Sequence, residues 1–197
     1  MAFGPKSRLS RPRESTGSSD QLLEELQEID SPNQKVFAGL LEGLPLWGEK
    51  VIERWRSRLR AYPEPLRRAM IERYWDFFPV WYYGDAMAAR DAELWRLDAL
   101  LEAAFNLLGV LAGLNRLYFT RFQLKHVRAF VAQMATAPTN LVERLESLFR
   151  VTPEAAAAEL ERLIDETGAL VKREFPDLVL PLRFPTGTRQ EPWAQRM

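Results

Sequence analysis

The 197-residue sequence contains no cysteine, which excludes disulfides, thiolate nucleophiles and cysteine-ligated zinc. It contains one histidine, so a single chain cannot assemble a multi-histidine metal site. It has no excess of either charge: 27 Lys plus Arg balance 27 Asp plus Glu. The domain-wide basic field of a nucleic-acid binder is therefore missing. No apolar run approaches the roughly 18 residues of a membrane span, and the first residues lack the apolar core of a signal peptide. Phosphate-cradling glycine loops, Gly-x-Ser-x-Gly and His-Glu-x-x-His are absent too. These absences predict a cytoplasmic chain with no membrane partner, no metal and no cofactor.

What is there has the composition of an ordinary globule, 47% hydrophobic and 27% charged. Residues 1–20 carry Lys6, Arg8, Arg11 and Arg13 among Ser, Gly and Pro, which predicts a disordered basic tail. Residues 179–197 are interrupted by Pro181, Pro185 and Pro192 and read as an extended tail. Residues 21–178 read as one helical domain. Leu22, Leu23, Leu26 and Ile29 form an amphipathic run that stops at Ser31-Pro32, and Val36, Phe37, Leu40 and Leu41 form another, closed by Gly43. Leu44-Pro45-Leu46-Trp47-Gly48 is a loop. Val51, Ile52, Trp55 and Leu59 mark the next helix. Pro65 suits the first turn of a further one, running through Phe78 to a break at Pro79.

After a predicted cap at Asp91, residues 92–118 are apolar nearly all round, as the central helix of a bundle would be. Further helices are expected over 123–135, 139–149 and from Thr152-Pro153-Glu154 to about Phe175. No alternating strand-length run is found. The expected fold is all-α: an antiparallel helical bundle of six to eight helices with extended N- and C-terminal tails.

One stripe of the central helix is polar. Asp98, Glu102 and Asn106 follow at i, i+4 spacing, and Gly109 and Gly113 continue the face. Acids on a greasy helix face solvent, meet arginines in an internal seam, or line a ligand cleft. The glycines would admit a close backbone or a ligand. Asn115 and Arg116 can donate to an anion and Tyr118 can stack on a ring, or they serve the helix terminus and the core. Lys and Arg alternate with aromatics from Trp55 to Tyr62 and from Arg67 to Tyr74, but Glu53, Glu64 and Glu72 interleave them, as on a solvated surface. Trp47, Trp55, Trp75, Trp81 and Trp95 are many large aromatics for one bundle, which suggests an interface.

Arg121 and His126 have the spacing of the ribonuclease motif in the HEPN family of helical-bundle toxins. There Arg steadies phosphate charge and His moves a proton, without metal. Phe122 stands where those sites usually carry a small polar residue.

A broader likeness runs from about 30 to 178. Gly43-Leu-Pro-Leu-Trp-Gly-Glu-Lys-Val-Ile-Glu-Arg-Trp, Tyr62-Pro-Glu and Leu66-Arg-Arg resemble the junction after the catalytic domain of kanamycin-nucleotidyltransferase-type enzymes. Ala89-Arg90-Asp91, Leu114-Asn115-Arg116-x-Tyr118-Phe119, Pro138 and Arg144-Leu145-Glu146 resemble the C-terminal helical domain that follows it. That family's catalytic part carries Gly-Ser and an Asp-x-Asp pair that holds magnesium, and neither an Asp-x-Asp pair nor a strand before Gly17-Ser18 is present. The resemblance thus implies a substrate-binding helical half without transferase activity by itself. Its partners would be a separate nucleotidyltransferase catalytic chain, a small-molecule or nucleotide ligand, and in a homodimer a second copy. Asp98, Glu102 and Asn106 would contact the ligand, with Arg90, Asn115, Arg116 and Tyr118 at the rim. The alternatives are the HEPN-like ribonuclease and a purely structural or interaction bundle.

Overall fold

A computed structural model describes residues 32–180 apart from 85, 86 and 88. The expected basic tail, the amphipathic run at 22–29 and the segment from 181 onward lie outside the described residues. The described part is all-helical, as expected. Its α-helices are α1 (Pro32–Glu42), α2 (Glu49–Leu59), α3 (Glu64–Tyr74), α4 (Glu93–Leu114), α5 (Val127–Val131), α6 (Leu141–Ser147) and α7 (Pro153–Glu174). Short 3-10 turns cover Val80–Tyr82 and Arg121–His126.

Several ends follow from local chemistry. Pro65 occupies the first turn of α3, where its missing N–H costs nothing. Thr152 caps α7 by accepting from the Ala155 N–H. Other ends differ from expectation. Asp91 is not the cap of α4: Ala92 holds that position, and Asp91 sits in the preceding turn with a left-handed φ of 54°. Helix α3 stops at Tyr74, four residues before Phe78. Side chains replace the helical hydrogen bonds there, since Asn106 Nδ2 donates to the Asp76 carbonyl (2.6 Å) and the Phe78 N–H donates to the Tyr83 hydroxyl (2.9 Å). The expected helix over 123–135 is a 3-10 turn followed by the short α5. Thr120 and Gln123 form a capping box that starts it early, α5 stops at Val131, and the Thr136 N–H beyond it donates to Asn115.

Helix α4 is the axis of the core. Unlike the expectation from uninterrupted apolar runs, it is by length and composition apolar enough to cross a membrane, and 72% of its most apolar window is buried inside the fold. Helix α3 runs antiparallel along it. Arg67 donates to the carbonyl of Leu114, Met70 packs at Gly113, and the ring of Tyr74 lies on Gly109. A Cβ on Gly113 would stand 2.9 Å from the Met70 Cβ and 3.0 Å from the Arg67 carbonyl, and one on Gly109 would enter the Tyr74 ring. The two glycines thus receive a neighbouring helix rather than a ligand. Helix α7 ends beside the end of α4, because the same Arg67 Nη2 also meets Glu174 at 3.0 Å.

A charged clasp joins α6 to α7. Arg144 reaches Glu159 at 2.5 Å and both carboxylate oxygens of Glu166 at 2.7 and 2.8 Å, and Arg162 pairs with Glu159. Hydrogen bonds from Arg144 hold the Glu166 carboxyl below its ordinary value, while at Glu159 burial works the other way and is outweighed by Arg144 and Arg162.

Two stability outcomes follow. Gly109→Ala should lower unfolding stability in urea by about 2 kcal/mol through overpacking, whereas Gly39→Ala in α1, whose Cβ would meet open space, should raise it by roughly 0.5–1 kcal/mol. Arg144→Met should cost about 1–2 kcal/mol near neutral pH. Because the folded carboxyls lie below the ordinary 4.5, that contribution is present above 4.5 and is lost as pH falls below it, so parent and variant should converge in acid-denaturation curves.

Candidate functional site

The polar stripe on α4 divides in two. At one residue per 100° Asp98, Glu102, Asn106, Gly109 and Gly113 share a face. Helix α3 covers the glycines and then ends, and the chain from Trp75 to Pro79 is non-helical and touches the remainder through Asp76 and Phe78. Asn106 is buried and anchors that segment through the Asp76 carbonyl, while Asp98 and Glu102 stand exposed. Asp76, Phe78, Tyr83, Glu102, Ala103 and Asn106 line a hollow of about 100 Å³.

Aromatic rings flank it. Phe78 stacks on Tyr82 with centroids 5.1 Å apart, and Trp95 lies 6.4 Å from Phe78. Trp95 and Asp98 are three residues apart on α4 and so are surface neighbours. Among the described residues Asp76, Asp98 and Glu102 enter no ion pair, whereas Glu53, Glu64, Glu93, Glu143, Glu159 and Glu166 are each tied to arginine. Among the described residues no three acidic or histidine side chains close into a metal-holding group. The hollow therefore offers carboxylates, one buried amide and ring faces. This is the chemistry of an organic cation.

The other expected rim residues are elsewhere. Arg90 is exposed in the turn before α4. Arg116 lies 18 residues beyond Asp98, about 27 Å along the rise of a helix, so the two cannot touch one small ligand. Arg116 is locked to Glu64 at 2.5 Å, and that hydrogen bond holds the Glu64 carboxyl low. Asn115 caps α4 and staples it to the following loop: its Nδ2 donates to the Leu111 and Thr136 carbonyls (both 2.7 Å) and its Oδ1 accepts from the Thr136 N–H (2.8 Å). Tyr118 is a core residue. It packs 5.6 Å from Phe37 and 5.0 Å from Tyr62, its hydroxyl donates to the Leu59 carbonyl, and burial pushes its phenol up to about 12.

Arg121 and His126 begin and end one 3-10 turn. Five residues at roughly 2 Å rise put about 10 Å between them and send them off on different faces. The Arg121 guanidinium sits 5.1 Å from the Phe105 ring.

No family model, curated protein or solved structure matches the chain.

Sequence reasoning missed Asp76, Phe78 and Tyr83, because the periodicity carries the helix through 76 and 78. The one legible signal was Pro79, which forces the preceding residue out of helical geometry. Asn115→Ala should strand the half-buried Thr136 N–H and cost about 2 kcal/mol in urea unfolding.

Proposed function

We propose that this chain is a ligand-binding helical domain for an amine-rich small molecule, acting as the acceptor-binding half of a nucleotidyl-transferring system. The catalytic carboxylates of that system lie outside these residues. The observation that carries the reading is the set of uncompensated carboxylates, Asp76, Asp98 and Glu102, beside a hollow floored by Asn106 and flanked by Phe78, Tyr82 and Trp95. The resemblance of residues 43–55 to the junction, and of 89–91 and 114–119 to the helical half, of kanamycin-nucleotidyltransferase-type enzymes points to the same class of ligand.

The size of the hollow limits the binding mode. At about 100 Å³ it is well below the ~300–1,000 Å³ of pockets that enclose a drug-sized ligand. It takes one ammonium or hydroxyl-bearing group, and the rest of the molecule lies along Trp95 and Asp98. Asn106 gives one of its two amide N–H groups to the Asp76 carbonyl, which leaves a second donor and the Oδ1 acceptor for a ligand group. The three exposed carboxylates, Asp76, Asp98 and Glu102, supply charge, and the aromatic faces supply cation–π attraction.

Calorimetric titration of the intact chain with kanamycin and with spermine tests this. Binding at sub-millimolar concentration is expected, weakened about tenfold by Glu102→Gln and by raised salt, as befits a lost charge-assisted hydrogen bond. Absence of heat with both ligands, or an affinity indifferent to Glu102→Gln, would overturn the proposal.

A further inference from the structure

The loop between α1 and α2 presents bare apolar side chains to solvent: Leu44 is 89% exposed, Leu46 98% and Trp47 91%. Val51, on the first turn of α2, is also exposed and Trp55, one turn on, is half-buried. At 100° per residue Val51 and Trp55 lie on one flank of α2, and Arg58, Arg54 and Lys50 follow next to them round the helix. Among the described residues none of these three cations is in an ion pair. Arg58 lies over the Trp55 ring, at 5.7 Å. The opposite flank is different, with Glu53 bridged to Arg60 and Arg56. Helix α2 therefore has one neutralised side, one side against the core, and one apolar and cationic side left uncovered.

The complement to that side is in the same chain. Residues 20–30, Asp-Gln-Leu-Leu-Glu-Glu-Leu-Gln-Glu-Ile-Asp, hold five acids and no base. At helical spacing Leu22, Leu26 and Ile29 share a face, with Leu23 beside it, and Glu25, Glu28 and Glu24 follow round one side. The order of apolar then charged positions mirrors α2 with the sign reversed. The tether is short: only Ser31 separates the segment from Pro32, the first residue of α1, and α1 packs on α2. At helical rise twelve residues span about 18 Å, enough to lie along α2, which is only about 16 Å long.

We propose that the apolar and basic face formed by Leu44, Leu46, Trp47, Val51, Trp55 and the cations Lys50, Arg54 and Arg58 is the seat of the chain's own acidic segment, residues 20–30. Its tethering gives an effective concentration near the millimolar range, so the contact needs little intrinsic affinity. A polyanion, whether lipid or nucleic acid, would have to displace the three carboxylates of Glu24, Glu25 and Glu28 held beside the face. This inference is independent of the ligand hollow on α4.

The absence of cysteine makes the test clean. Full-length chain carrying Leu26→Cys and Val51→Cys, the central positions of the two faces, is oxidised at low protein concentration and read on a non-reducing gel. An intramolecular disulfide is expected. Its rate should fall about tenfold in a Lys50→Glu, Arg54→Glu, Arg58→Glu background and recover when Glu24, Glu25 and Glu28 are each changed to Lys. Melting curves of each variant confirm folding, and Leu26→Cys with Glu49→Cys, off the face, is the control. Disulfide-linked dimers alone would assign the face to a second copy. No disulfide, together with binding of the parent chain to phosphatidylserine vesicles, would assign it to a membrane surface. No disulfide and no vesicle binding, or a rate unchanged by charge reversal, would equally overturn the proposal.

Discussion

The architecture depends on two missing side chains. Gly109 and Gly113 leave a bare strip on α4, and α3 lies in it with the Tyr74 ring and the Met70 side chain against backbone. This close approach brings Arg67 to the end of α4 and Asp76 to Asn106. Phe119 and Phe105 meet the Tyr74 ring edge-on, with centroids at 5.5 and 5.6 Å. Moving α3 outward by the width of a methyl group would loosen all of these contacts at once, because interiors at crystalline density cannot absorb the change locally.

The same contact decides where the candidate site opens. The polar stripe is continuous in sequence, but its character changes where α3 stops. Before Tyr74 the face is packed, and after it the chain leaves the helix, with Glu102 and Asp98 in water. Charge pairing sharpens the contrast. Arginines pair with many of the described carboxylates, as Arg144 does with Glu159 and Glu166, while Asp76, Asp98 and Glu102 enter no such pair.

Much of this was readable from residue order. The all-α architecture, the central apolar helix, the loop at 44–48, the proline in the first turn of α3 and the Thr152 cap all rest on short-range rules, and the structure places them as those rules require. What escaped was decided by distant partners. Nothing near Tyr74 announces that Asn106, thirty-two residues on, will take the Asp76 carbonyl and end the helix early. Asn115 and Tyr118 carry the chemistry of a binding site, yet tertiary packing spends both on a loop staple and a buried ring cluster. Arg116 is likewise consumed by Glu64, fifty-two residues upstream. Residue type told what each could do, and only the fold told which of them was already occupied.

Arg67 has a wider consequence. One buried guanidinium takes the last carbonyl of α4, the Glu174 carboxylate in the final turn of α7 and the face of the Phe175 ring at 4.6 Å. Three helix termini share a single cation, so none can fray without orphaning a charge in the interior. The ends of the two longest helices, commonly the first places to open in hydrogen exchange, are here fastened into one cooperative foldon with the start of α3.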